Sequence, residues 1–146
     1  MQPIRTVLFA TDFSKSAAYA FDLACTLARD HSAKLLVLHV ATPPPVVLPE
    51  GIITDVNNPE YVAGLKKQLL NIRPVDARLS VEHRLEQGDP AGEILRVAEE
   101  IAADCIVLGT HGRSGLFRLL MGSVAEAVLR KASCPVLTVR MPAAVK

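Results

Sequence analysis

The segment from Gly109 to Ser123 (Gly-Thr-His-Gly-Arg-Ser-Gly-Leu-Phe-Arg-Leu-Leu-Met-Gly-Ser) concentrates the residues of this chain that can hold an anion. It follows an apolar run, Cys105-Ile106-Val107-Leu108, and precedes a helical pattern beginning near Ser123. Backbone N–H groups approach phosphate oxygens closely where no Cβ intervenes, and the free amides at a helix start carry partial positive charge. Gly112, Gly122 and the amide of Val124 are the candidates for such a cradle. Arg113 and Arg118 lie inside the segment, and Arg113, beside Gly112, is the better placed to neutralise phosphate charge. His111 reads as a surface loop residue and stays outside the site. Ser123 followed by Glu126 fits a capping box, which explains that pair without any ligand. The segment has neither the lysine of a Walker loop nor a G-x-G-x-x-G, so it matches neither of those nucleotide motifs.

Metal and thiol chemistry find little support elsewhere. His39 and His83 have no partner at metal spacing, so no protein-built metal site is expected. Cys25, Cys105 and Cys134 show no C-x-x-C, and an odd count cannot complete a disulfide framework, which fits a reducing compartment. The formal net charge of +1 gives no global field for nucleic acid or a membrane surface. No run approaches the ~18 apolar residues of a membrane helix, and no stretch before Asp12 is long enough for a signal peptide; a cytoplasmic location is expected.

The elements that must position these groups follow from periodicity. The 146 residues suit one domain spanning 1–146, and a 50% hydrophobic, 4% aromatic composition suits a core of Ala, Val, Leu and Ile, as in parallel sheets. Ile4 to Ala10 reads as a strand ending at Thr11-Asp12, and Ala17, Phe21, Ala24 and Ala28 then recur at helical spacing. Leu35 to Val40 is an apolar run without alternation, the pattern of a strand covered on both faces. From Ala41 to Asn58, with four prolines and no period, a long irregular loop is expected. Asn58-Pro59-Glu60 opens a helix carrying Val62, Leu65 and Leu69. Leu79 to Leu85 alternates, as an exposed strand near a sheet edge does; Gly88-Asp89-Pro90 starts a helix, Cys105 to Leu108 forms a strand, and Pro135 to Val139 closes the series after a helix over Ser123 to Lys131. Five strands alternating with four helices give a doubly wound, Rossmann-like parallel sheet with helices on both faces. Such sheets bind ligands at the carboxyl ends of strands where the winding reverses; if strands one and four are the neighbours at that point, Asp12 and the loop after Leu108 face one crevice.

The spacing G-x2-G-x9-G-S, met by Gly109, Gly112, Gly122 and Ser123, resembles the ATP-binding signature of the universal stress protein family. The likeness extends to Ala10-Thr11-Asp12, to Gly88-Asp89-Pro90 and to Cys134-Pro135-Val136-Leu137. It implies a sheet in the order 3-2-1-4-5, a base held near Asp12 and the main chain of Val40, and phosphates held by the signature loop. Asp12 either caps the following helix or contacts base or ribose; the two roles are compatible. The expected ligand set is Ala10, Thr11, Asp12, Val40, Gly109, Gly112, Arg113, Gly122, Ser123 and Val124, for ATP with Mg²⁺ held mainly by phosphates and water. A regulatory stress protein is the leading function. A slow ATPase or autophosphorylating enzyme is one alternative, although no water-positioning base stands out. A dimerisation module that takes another adenine nucleotide such as cyclic AMP is the other. Leu116, Phe117, Leu119, Leu120 and Met121 are expected to fold over the crevice or meet a protein partner, and Val136, Leu137 and Val139 to form a homodimer through the last strand.

Overall fold

The computed structural model describes residues 3–42, 46–53, 58–110 and 121–142. The first strand, β1 (Thr6–Ala10), is buried along most of its length, with Val7, Leu8 and Phe9 fully enclosed. The uninterrupted apolar run is therefore covered on both sides, and each large side chain buried this way stabilises by ~1.5–3 kcal/mol. Helix α1 (Lys15–His31) returns along one face, with Ala17, Ala20, Ala24 and Ala28 buried and Phe21 set 5.3 Å from the Phe9 ring. Small residues on that stripe let the helix approach the sheet closely. Strand β2 (Lys34–Ala41) is buried from Leu35 onward.

The proline-rich stretch is more ordered than its composition suggests. It contains a two-stranded antiparallel hairpin, β3 (Val46–Leu48) with β4 (Gly51–Ile53), in which Leu48 pairs with Gly51 across Pro49-Glu50. The β-branched pairs Val46-Val47 and Ile52-Ile53 favour extended backbone, while Gly51 takes φ +136° beside the turn. The irregular loop expected over 41–58 is corrected to this extent.

Helix α2 (Pro59–Leu70) starts as its sequence indicates, with Asn58 Oδ1 accepting from the amides of Glu60 (2.9 Å) and Tyr61 (3.3 Å). Strand β5 (Val81–Gln87) begins two residues later than the alternation suggests, because Leu79 is engaged in a turn with its N–H donating to Asp76 O. Helix α3 (Pro90–Glu100) is capped by Asp89, whose Oδ2 accepts from Gly92 N at 2.8 Å. Strand β6 (Cys105–Gly109), helix α4 (Ser123–Lys131) and strand β7 (Val136–Val139) complete the chain.

The main sheet is entirely parallel in the order β5-β2-β1-β6-β7, which is 3-2-1-4-5 when only its own strands are counted. Strand β5 lies at one edge, as its alternating pattern requires. Right-handed crossovers send α1 and α2 to one face and α3 and α4 to the other. The core divides accordingly. Val7, Phe9, Leu35, Val37 and Val107 pack with α1 and Leu69 of α2, whereas Leu8, Leu36, Leu38, Ile106 and Leu108 pack with Ile94, Val97 and Val128 of α3 and α4. The winding reverses between β1 and β6, which opens a crevice at their carboxyl ends. Among the described residues no helix is long and apolar enough to cross a membrane.

Candidate functional site

Where β1 ends, the chain must leave the sheet toward the α1 face. The last ladder bond runs from Thr11 N to Leu38 O at 2.8 Å. Three local bonds then shape the exit: Thr11 Oγ1 accepts from Phe13 N (3.0 Å), Asp12 Oδ1 from Ser14 N (2.9 Å) and Ser14 Oγ from Ala17 N (3.1 Å). Ser14 is therefore the cap of α1, and Asp12 shapes the turn before it instead of capping the helix. Phe13 sits at φ 65°, which costs about 1–2 kcal/mol for a residue with a Cβ. Its ring packs against the core and lies 4.3 Å from the His39 ring, contacts that offset the cost.

Strand β2 presents its main chain to this crevice. Its even-numbered residues bond toward β1, as in Lys34 N to Arg5 O (2.9 Å), while odd-numbered ones bond toward β5, as in Leu35 N to Ser80 O (2.9 Å) and Gly88 N to Ala41 O (3.3 Å). The N–H and C=O of Val40 thus face the β1 side, beyond the last paired residues, Ala10 and Leu38. The Thr11 carbonyl there accepts instead from His39 Nδ1 at 2.7 Å, so that ring nitrogen carries the proton.

The opposite wall is built by β6 and α4. Gly109 ends β6 under α1, and a Cβ on it would fall 2.6 Å from Ser16 Oγ and 3.0 Å from the Ser16 carbonyl carbon. Close helix packing therefore accounts for this glycine without any ligand. Thr110 N donates to Val139 O at 3.1 Å, and Gly122 N donates to Thr110 O, which ties the start of α4 to the end of β6. Gly122 is the N-cap residue at φ −62°, ψ 154°, with no side chain capping the helix. The capping box weighed as the alternative to phosphate contact is not formed, because Ser123 lies inside the helix and Glu126 pairs forward along it with Arg130 at 2.7 Å. Helices α1, α2 and α3 each have a side-chain cap, whereas among the described residues no side chain caps the first-turn amides of α4.

These parts enclose one cavity of about 370 Å³. Ala10, Thr11, Asp12, Val40, Gly109, Gly122, Ser123 and Val124, all expected from the sequence, line it. Gly112 and Arg113 lie outside the described residues, as do His111, Arg118 and the apolar stretch Leu116–Leu120. The sequence reading missed His39, Thr42 and Thr110, and the apolar side walls Tyr61 and Leu65 of α2 and Pro90 and Ile94 of α3. Tyr61 stands four residues before Leu65, so the helical period already placed the two on one face. Among the described lining residues Asp12 is the one carboxylate, and there is no lysine or arginine.

Cysteine chemistry is remote from this site. None of the three thiols lines the cavity, and burial pushes Cys25 up to about 11 and raises Cys105 and Cys134. Inert thiols are the consequence.

Residues 3–140 match the model of the Universal stress protein family. The chain belongs to the universal stress protein family. A universal stress protein of Methanocaldococcus jannaschii is 36% identical over 143 residues, covering 94% of this chain and 83% of the relative. Universal stress protein YxiE of Bacillus subtilis is 34% identical over 144 residues, covering 92% and 97% of the two chains. Among solved structures, a universal stress protein in complex with cAMP superposes with a TM-score of 0.68 at 29% identity, covering 94% of this chain and 98% of that one. The doubly wound sheet and its crevice are thus those of a universal stress protein fold, and members of the family include nucleotide-bound forms.

Proposed function

We propose that this universal stress protein binds ATP in the crevice and acts as a nucleotide-dependent stress-response or regulatory protein. One observation carries the reading: the Val40 main chain, the Asp12 carboxylate and the uncapped start of α4 converge on a single cavity. A paired main-chain donor and acceptor suits the edge of an adenine, a carboxylate suits base amine or ribose hydroxyls, and free helix amides suit phosphate. Tyr61, Leu65 and Ile94 supply apolar walls for the base. Gly112 and Arg113 remain part of the proposed phosphate cradle. Mg²⁺ would be held mainly by phosphates and water, since among the described residues no cluster of three His, Cys, Asp or Glu gathers. Any turnover should be slow, because no described residue at the α4 end of the cavity is a general base.

A second reading, an adenine nucleotide with less phosphate charge such as cyclic AMP, is favoured by the absence of lysine and arginine from the described lining and by the relative solved with cAMP. The proposed assembly is a cytoplasmic homodimer through β7, which among the described residues pairs with β6 alone and leaves Leu137 36% exposed. Calorimetry with Mg-ATP, cyclic AMP and adenosine, with mass spectrometry of nucleotide released from the purified protein, tests both readings. Tighter binding of Mg-ATP than of adenosine supports the first, and preference for cyclic AMP the second. Neither heat nor a thermal shift at millimolar nucleotide would overturn both, because even a weak site stabilises the fold by mass action at that concentration.

A further inference from the structure

The ladder between β1 and β2 stops one rung early, and a side chain takes the acceptor that the missing rung would use. In a continued parallel ladder Val40 N–H would donate to the Thr11 carbonyl, just as Thr11 N–H donates to Leu38 O. The pairing instead ends at Ala10 and Leu38. Thr11 O is drawn toward the α1 face, where Nδ1 of His39 donates to it at 2.7 Å. His39 is 9% exposed and its ring is backed by Phe13, so the imidazole is held in place. No described residue accepts the Val40 N–H, which faces the cavity.

We propose that His39 is a positioning residue: by holding the Thr11 carbonyl it keeps the Val40 amide open, as the donor that recognises a ring-nitrogen acceptor such as N1 of adenine. The proposal rests on the nucleotide reading for its ligand but not for its geometry. A side chain of similar bulk without a donor releases the Thr11 carbonyl, which must then find another partner, and the donor that the continued ladder would supply is Val40 N–H. The rung closes and the base loses its reader. Asparagine, whose Nδ2 stands where Nδ1 stands in histidine, restores the hold.

Two measurements test this. Hydrogen exchange of the ligand-free protein followed by NMR should show the Val40 amide exchanging at least tenfold faster than those of Leu36 and Leu38, which share its strand and direction. His39→Leu should slow Val40 exchange about tenfold, and His39→Asn should return it to the native rate. In calorimetry the native protein should bind adenosine roughly tenfold tighter than 1-deazaadenosine, in which C–H replaces N1, the loss expected for one hydrogen bond. His39→Leu should erase that difference and His39→Asn should keep it. A Val40 amide as protected as those of Leu36 and Leu38 in the native protein overturns the role of His39, whether or not any nucleotide binds. An open amide with equal affinities for the two nucleosides overturns the assignment of Val40 to N1. Failure of every adenine compound to bind sinks the nucleotide reading itself, and the exchange measurement still decides the hold of His39 on Thr11.

Discussion

Gly109→Ala separates a packing glycine from a phosphate-cradling one. The added Cβ would lie 2.6 Å from Ser16 Oγ and 3.0 and 3.1 Å from the Ser16 carbonyl carbon and oxygen. The first contact involves a side-chain tip, but the other two are the backbone of α1, so the helix itself must move. Forcing one methyl into such a contact costs ~1–3 kcal/mol, and for a chain near this length each kcal/mol shifts Tm by ~2–4 °C. Thermal melts without nucleotide should therefore show a fall of roughly 3–10 °C. Ser16 offers an internal control, because its Oγ is buried and has no hydrogen-bond partner among the described residues. Ser16→Ala removes an unsatisfied group and should leave Tm level or slightly raised. Combined with Gly109→Ala it should recover part of the loss, because the 2.6 Å contact disappears while the two backbone contacts persist. A Gly109→Ala protein melting within about 2 °C of the parent, or a double variant whose effects simply add, would refute the packing explanation.

Three further outcomes follow from the same structure. Gly122→Val should leave the ligand-free Tm within about 2 °C of the parent, since φ −62° is open to any residue, while weakening ATP far more than adenosine; equal losses in calorimetry would remove Gly122 from the phosphate end. Val136→Asp on the β7 edge should convert the proposed dimer to a monomer in light scattering, and a monomeric parent at micromolar concentration would sink the dimer. The network joining β5 to α3 sets an acid dependence: Arg96 holds Glu93, and Arg84 holds Glu100, below the ordinary value of 4.5. Depressed carboxylates add stability that is present above that value and lost as pH falls through their lowered ones, so Arg84→Gln with Arg96→Gln should flatten the decline of the urea midpoint between about pH 6 and pH 3; an unchanged slope would refute it.

Much of the fold was legible because its signals are local. Leu35 to Val40 has no alternation and became a strand with both faces covered, while the alternating Val81–Gln87 lies at an edge. Asn58 and Asp89 cap their helices as their positions announce. One local signal misled and one was ambiguous. The prolines around 43–49 hid the β-branched pairs that form the hairpin, and Ser123 with Glu126 has the spacing of a capping box that the chain does not build. In the second case the outcome is set at a distance, by the bond from Gly122 N to Thr110 O that fixes where α4 begins. A one-residue offset puts glycine at the cap, and a glycine cap has no side chain to occupy the helix start.

That offset and the vacant Val40 rung share a cause, and it explains why the cavity is polar where it matters. The inner strands of a parallel sheet satisfy their main-chain groups except at their ends, and β1 and β6 end side by side where the winding reverses between them. At β1 the chain turns into α1 and its carbonyl goes to His39; at β6 it departs at Thr110 and returns as an uncapped helix. Each departure leaves donors facing the same space, one from a strand edge and one from a helix start. Periodicity reports which residues are buried, but it carries no information about which ladder bond is missing. For that reason Asp12 and the glycines were visible in the sequence, while His39 was passed over as a histidine lacking metal partners. Its significance lies in the register of β2 against β1, where Ala10 meets Leu38 and the next rung is diverted.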